Sequence, residues 1–88
     1  MALEDEFKEH AEKAKTLPAG TKDADKLVLY GLYKQATAGA VNTSRPGFFS
    51  PVERVKWDAW KAAEGKSKEE AMADYIAKVK QLQEVPSA

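Results

Sequence analysis

The chain has 88 residues, 43% of them hydrophobic, and its 14 Lys and Arg balance 14 Asp and Glu for a formal net charge of zero. This length and composition predict a single domain spanning residues 1–88 with one core. The zero net charge excludes the basic surplus typical of nucleic-acid-binding domains, so we expect no nucleic-acid partner. The chain has no Cys, which excludes disulfides and thiolate chemistry and fits a cytoplasmic protein. Its acidic start and the lack of a long apolar run lead us to expect neither a secretory signal nor stable membrane insertion.

Apolar residues at helical spacing predict a first helix at about residues 3–16, which ends before Pro18 because the residue before a proline disfavours helix. Its apolar face consists of Leu3, Phe7, Ala11 and Ala14. A second helix is predicted at about 22–38, ending at Gly39, which can supply a left-handed stop. Its predicted core face consists of Leu29, Leu32, Tyr33 and Ala36.

Turn-forming residues without helical period follow from 39 to 49 and predict a long surface loop. Ser50 and Glu53 then form a predicted capping box at the start of a third helix, about 51–64. Its predicted core face consists of Val52, Val55, Ala59, Trp60 and Ala63, and we expect Trp57 to pack in the core as well.

Ser67 and Glu70 repeat the capping box before a fourth helix, about 68–85, which Pro86 terminates. Its apolar stripe consists of Ala71, Met72, Tyr75, Ile76, Val79 and Leu82. Four amphipathic helices without a strand signal predict an all-α four-helix bundle. The long second loop allows the second and third helices to run in the same direction, and nothing indicates an oligomer, so we expect a monomer.

The residues needed for common catalytic and metal chemistry are missing from the sequence. His10 is the single histidine, and we expect it on the surface. Without a second imidazole or a thiol, we expect no metal site and no cofactor. The serines at 44 and 50 have turn and cap roles, and no nucleophile has a base in evident reach, so we predict that the protein is not an enzyme.

A second face of the second helix places Leu27, Tyr30 and Lys34 in line, because residues three and four apart lie on one side of a helix. An aromatic ring can stack on a base while a lysine nearby reaches a phosphate, and Lys56 offers a second ammonium. From spacing alone, a boundary tyrosine with solvated lysines is the favoured interpretation over a ligand site. Tyr75 likewise fits a core aromatic, and a cation such as Lys15 is favourable at a helix C-terminus without any ligand.

Three stretches of the sequence resemble the signature of the acyl-CoA-binding protein family. They are Tyr30–Thr37 (YGLYKQAT), Val41–Gly47 (VNTSRPG) and Lys56–Lys61 (KWDAWK). They occur in order and at the expected separations, and the resemblance covers essentially the whole chain. It implies an up-down-down-up four-helix bundle that binds a long-chain acyl-CoA, carries it inside the cell and catalyses no reaction.

The resemblance also implies roles for particular residues. Tyr30 would stack on the adenine, and Lys34 and Lys56 would bind the ribose 3′-phosphate. Lys15 would line the polar part of the ligand and Tyr75 would close over it. The remaining implied ligand-binding residues are Ala11 and Leu27, which border the bowl and the acyl chain, and Gly31, Leu32 and Tyr33.

Two positions depart from the family pattern. Ala40 stands where an Asp is common, and Val52 stands where many members carry a basic residue near the phosphates. We expect the second departure to weaken binding without abolishing it. The alternative function is a helical protein-interaction module with no lipid ligand, whose groove accepts an amphipathic helix. We further expect at most transient contact with membranes or with enzymes that use acyl-CoA.

Overall fold

Four α-helices account for most of the chain in this computed structural model, which describes residues 2–18 and 20–84. The helices are α1 (Leu3–Ala14), α2 (Asp23–Thr37), α3 (Pro51–Ala62) and α4 (Lys68–Glu84). The predicted helices were longer by one or two residues at several ends, where the chain forms turns instead. The predicted end at residue 85 and the stop at Pro86 lie outside the described residues.

Packing of the helices follows the predicted apolar faces: α1 packs on α4, α4 on α2, and α2 on α3. Successive contacts between α2 and α3 follow the same direction along both helices. Lys56 lies over Tyr30, and further along both segments the Gln35 amide donates to the Glu64 carbonyl. These two helices are therefore parallel. An ion pair between Asp25 and Lys78, with Tyr33 against Tyr75, makes α2 and α4 antiparallel. The result is the predicted up-down-down-up bundle.

The core lies where α1, α2 and α4 meet. Ala71 and Val79 are completely buried there, and burial of such side chains contributes about 25 cal/mol per Å² of apolar surface. The other buried members of this cluster are Phe7, Leu29, Leu32, Ala36, Ala63, Tyr75 and Ile76. Helix α4 supplies four of these nine buried residues, which agrees with its predicted stripe.

The loop from residue 38 to residue 50 is fixed along α3 by side-chain hydrogen bonds. Trp60 Nε1 donates to the Gly39 carbonyl at 2.8 Å, and Trp57 Nε1 donates to the Thr43 carbonyl at 3.1 Å. The Arg45 guanidinium donates two bonds to the Asp58 carboxylate, at 2.9 and 2.8 Å. Hydrogen bonding to Arg45 is the main reason that the pKa of Asp58 is lowered. Much of the KWDAW and VNTxRPG sequence is therefore explained by loop attachment.

The Gly39 stop and the two predicted capping boxes can be compared with the structure, and two of these three predictions are confirmed. Gly39 has φ of +82° and ends α2 as predicted. The Ser67 hydroxyl accepts from the Glu70 amide at 3.0 Å, and Glu70 accepts from the Ser67 amide, which completes the predicted box. The Ser50 box was wrong, because Ser50 makes no side-chain cap bond. Its backbone, at ψ of 66°, differs from the extended conformation that directs a cap hydroxyl toward the helix.

Several core predictions were also wrong. Val52 and Val55 are exposed because α3 packs against α2 alone among the described helices, which leaves the first half of α3 uncovered. Tyr33 is exposed rather than buried, and Trp57 is only half-buried. His10, expected on the surface, is buried, with Nδ1 2.8 Å from the Glu6 carbonyl oxygen.

Gly31 sets the distance between α2 and α3. A Cβ at this position would overlap the backbone carbonyl of Ala59 and lie 3.3 Å from the Trp60 nitrogen. The helices therefore touch backbone to backbone at this point, which only glycine permits.

We predict that Gly31→Ala destabilises the protein by about 1–3 kcal/mol, because overpacking outweighs the gain of about 1 kcal/mol in helix propensity. Gly65→Ala is the matched control, since no atom lies within 4 Å of its Cβ position. Urea unfolding of both variants measures the difference. Equal stability of the two would show that the close approach is not a constraint.

Candidate functional site

Two lysines and two aromatic rings are paired across the α2–α3 contact. Lys56 Nζ lies 5.7 Å from the centroid of the Tyr30 ring, and Lys34 Nζ lies 4.7 Å from the Trp60 ring. A cation is attracted to the face of such a ring. Tyr30 and Lys34 are one helical turn apart on α2, so the two ammonium groups are presented along the same edge. This arrangement can bind an anion next to an aromatic surface.

A cleft of about 450 Å³ opens beside Tyr30, between the end of α1, the start of α2 and α4. We call it the tyrosine cleft. Its lining combines three tyrosines, two lysines and apolar residues: Ala14, Lys15, Leu17, Pro18, Lys26, Leu29, Tyr30, Tyr33 and Tyr75. Its volume is in the range of about 300–1,000 Å³ that small-molecule sites occupy.

An aromatic cluster forms one wall of the tyrosine cleft. The Phe7 ring lies 5.6 Å from Tyr33 and 5.1 Å from Tyr75, and Tyr33 lies 6.2 Å from Tyr75, centroid to centroid. Burial raises the pKa of Tyr75, with a smaller contribution from Tyr33. The Tyr75 hydroxyl is therefore neutral at physiological pH and can donate a hydrogen bond to an anionic ligand.

A second recess of about 280 Å³ lies between Leu27 of α2 and the first half of α3. We call it the apolar groove. Four apolar residues and one lysine line it: Leu27, Pro51, Val52, Val55 and Lys56. Val52 and Val55 are exposed in it, so a ligand lying there would cover apolar surface. Lys56 belongs to the groove and touches Tyr30 of the tyrosine cleft, so it joins the two recesses.

The structure brings most of the predicted site residues together. Lys15, Tyr30, Tyr33 and Tyr75 line the tyrosine cleft. Leu27 and Lys56 line the apolar groove, and Lys34 is one helical turn from Tyr30. Lys34 itself lines neither recess, and three further predicted residues also lie outside both. Gly31 faces the α3 backbone, Leu32 is in the core, and Ala11 is half-buried against the core cluster.

Other residues in the tyrosine cleft were not predicted. The most informative is Lys26, whose side chain adds a second cation beside Lys15. The sequence does place Lys26 four residues before Tyr30, and residues at this spacing share a helix face. Leu17 and Pro18 also line the cleft, although the sequence assigned them only the end of the first helix.

Two kinds of feature, metal-binding groups and membrane spans, are absent from residues 2–18 and 20–84. Within those ranges the His, Asp and Glu side chains form no group of three that could hold a metal ion. None of the described helices is both long enough and apolar enough to traverse a bilayer.

Comparison with known proteins agrees with this geometry. A family model described as acyl-CoA-binding protein matches residues 4–79. The chain belongs to the acyl-CoA-binding protein family. The resemblance predicted from the three signature stretches is thereby confirmed.

Several members of the acyl-CoA-binding protein family are closely similar to this chain. An acyl-CoA-binding protein of Fritillaria agrestis is 73% identical over 84 residues, which are 96% of this chain and 97% of that protein. Acyl-CoA-binding domain-containing protein 3 of Oryza sativa is 69% identical over 88 residues, the whole of this chain but only 57% of that protein. The crystal structure of Oryza sativa acyl-CoA-binding protein 2 superposes with a TM-score of 0.93 at 70% identity, covering 94% of this chain and 92% of that one.

The raised pKa of Tyr75 predicts a loss of stability in alkali. Its neutral form is favoured in the folded state, so this contribution is intact below the ordinary tyrosine pKa and is lost as pH rises through the raised value. Denaturant unfolding of wild type and Tyr75→Phe at neutral and alkaline pH measures this difference. We expect stability to fall less in Tyr75→Phe than in wild type, because phenylalanine has no proton to lose. A parallel fall in both proteins would assign the alkaline loss to other groups.

Proposed function

We propose that this protein binds long-chain acyl-CoA thioesters and acts as an intracellular carrier and pool former in lipid metabolism. The observation that carries the proposal is the position of Lys56, which lies over Tyr30 at the junction of a cationic aromatic cleft and an apolar groove. A ligand with an anionic nucleotide at one end and an acyl chain at the other matches both recesses. Family membership supports the same ligand.

The nucleotide half would bind through the residues around Tyr30. We propose that the adenine stacks on the Tyr30 ring and that Lys34 and Lys56 bind the ribose 3′-phosphate. Both ammonium groups already lie near aromatic rings along one edge of α2 and α3. Lys15 lines the same cleft and would contact the remaining polar part of the ligand. Tyr75 would donate its neutral hydroxyl to the ligand from α4.

The acyl half would cover the exposed valines of the apolar groove. Burial of about ten methylenes at about 0.8 kcal/mol each contributes about 8 kcal/mol, comparable to micromolar affinity. Val52 occupies a position where many family members have a basic residue, so this groove offers apolar surface where they offer charge. We therefore propose that the acyl chain contributes much of the affinity and that the phosphate contacts select the CoA ester.

The proposed carrier catalyses no reaction and needs no cofactor. The single histidine supports this, because His10 is buried and lies 2.8 Å from a carbonyl oxygen of its own helix. We propose that residues 1–88 form one domain that works as a cytoplasmic monomer, in transient contact with membranes or acyl-CoA-using enzymes. The alternative prediction, a protein-interaction module without a lipid ligand, is not favoured by membership of this family.

Calorimetric titration of the delipidated protein with palmitoyl-CoA, CoA and palmitate tests the proposal. We expect one-to-one binding of palmitoyl-CoA and much weaker binding of either fragment, because each fragment fills only one recess. Palmitoyl-CoA is kept below its micelle concentration. Palmitate binding as tight as that of its CoA ester would contradict the proposal.

Lys34→Ala and Lys56→Ala test the anion site. Loss of a charge-assisted hydrogen bond costs about 1.5–3 kcal/mol, so we expect palmitoyl-CoA affinity to fall about tenfold to one-hundredfold in each. Stability without ligand should fall by about 1 kcal/mol or less, the cost of one exposed cation–π contact. Lys80→Ala, an exposed position on α4, is the matched control and should bind normally. Unchanged affinity in both variants would exclude the two lysines from the site.

A further inference from the structure

We propose that Phe48 and Phe49 form a docking surface that inserts into the interfacial region of a phospholipid bilayer. This inference deepens the proposed function, because it names the surface through which the carrier would meet the membrane that supplies or receives its cargo. We call these two residues the Phe tip.

The Phe tip is the most exposed apolar surface that the described residues present. Phe48 is 80% exposed and Phe49 is 95% exposed. They occupy the middle of a tight turn, which the Ser50 amide closes by donating to the Gly47 carbonyl at 3.0 Å. The two rings contact each other edge to face at 5.6 Å. The turn therefore holds both rings outward, although water disfavours them there.

Charge beside the Phe tip complements lipid phosphates. The Arg54 guanidinium carbon lies 6.0 Å from the Phe48 ring. Between residues 45 and 58 there are three cationic side chains and two carboxylates, and Arg45 is already paired with Asp58. Arg54 thus provides a cation beside the Phe48 ring, with Glu53 and Asp58 opposing its charge in part. Amphipathic surfaces of this kind bind at the headgroup boundary.

The shape and position of the Phe tip favour a bilayer over a protein partner. Two rings projecting from a turn offer a small protruding surface, whereas a helix of a partner protein needs a groove to occupy. Pro51 and Val52 follow the tip after Ser50 and line the apolar groove. With the Phe tip inserted, this end of the groove would face the lipid. An acyl chain could then pass between bilayer and groove with little exposure to water.

Flotation with vesicles tests the surface directly. The vesicles are phosphatidylcholine alone and phosphatidylcholine with phosphatidylserine. We expect wild type to associate with both, and F48S/F49S to associate at least about tenfold more weakly, because two buried rings are lost. Val28→Ser, which removes another exposed apolar side chain, is the matched control and should behave as wild type. Arg54→Gln should lose the preference for phosphatidylserine and keep binding to phosphatidylcholine.

Depth of insertion can be read at single positions, because the chain contains no cysteine. Phe49→Cys and Val28→Cys, each carrying a polarity-sensitive fluorophore, report on the tip and on an exposed site of α2. A blue shift with vesicles at position 49 alone supports insertion of the Phe tip. Equal shifts at both positions, or none at position 49, would overturn it.

Titration with palmitoyl-CoA in the absence of vesicles separates this inference from the carrier function. F48S/F49S should bind palmitoyl-CoA as wild type does. Vesicle binding that depends on the tip supports docking whether or not palmitoyl-CoA binds. If wild-type protein binds palmitoyl-CoA but associates with neither kind of vesicle, membrane docking is overturned and the proposed carrier function is not. Dimers in sedimentation that F48S/F49S dissociates would overturn it in favour of a contact between two copies.

Discussion

The close approach of α2 and α3 at Gly31 is the constraint on which the site depends. Because the missing Cβ lets the helix backbones touch at Ala59, side chains within one turn of this point meet across the contact. Lys56 reaches the Tyr30 ring, and Lys34 reaches Trp60. A wider spacing would separate these cations from their rings and the tyrosine cleft from the apolar groove. Gly31 was predicted as a ligand-binding residue, and the structure gives it a positional role behind the site.

The signature stretches combine residues that build the fold with residues proposed to bind the ligand. In KWDAWK, Lys56 faces the site, while Trp57, Asp58 and Trp60 hold the preceding loop. That attachment matters because parallel helices need a long connection, which is costly to order unless its own contacts fix it. The signature stretches are therefore constrained for two physical reasons, loop attachment and ligand contact. Residue spacing alone does not show which reason applies to a given residue.

Much of the fold could be predicted because each helix carries a local signal. Ser67 and Glu70 cap α4 as the sequence indicates, and Gly39 adopts the left-handed conformation that ends α2. The errors arise where a tertiary contact decides. Apolar spacing placed Val52 in a core, but the sequence does not reveal that α3 has one helical neighbour. Lys26 was not predicted as a site residue, because its place on the Tyr30 face of α2 fits a solvated lysine as well as a cleft lysine.

The single-sided packing of α3 also affects how the protein can move. Helix α4 contacts both α1 and α2, whereas α3 contacts α2 alone among the described helices. Opening such a helix breaks one helix–helix interface, whereas opening α2 or α4 breaks two, so its local unfolding requires less free energy than theirs. One side of the apolar groove is thus compliant while the wall formed by α2 is rigid. A recess with one compliant wall can accommodate acyl chains of different length without disturbing the three-helix core.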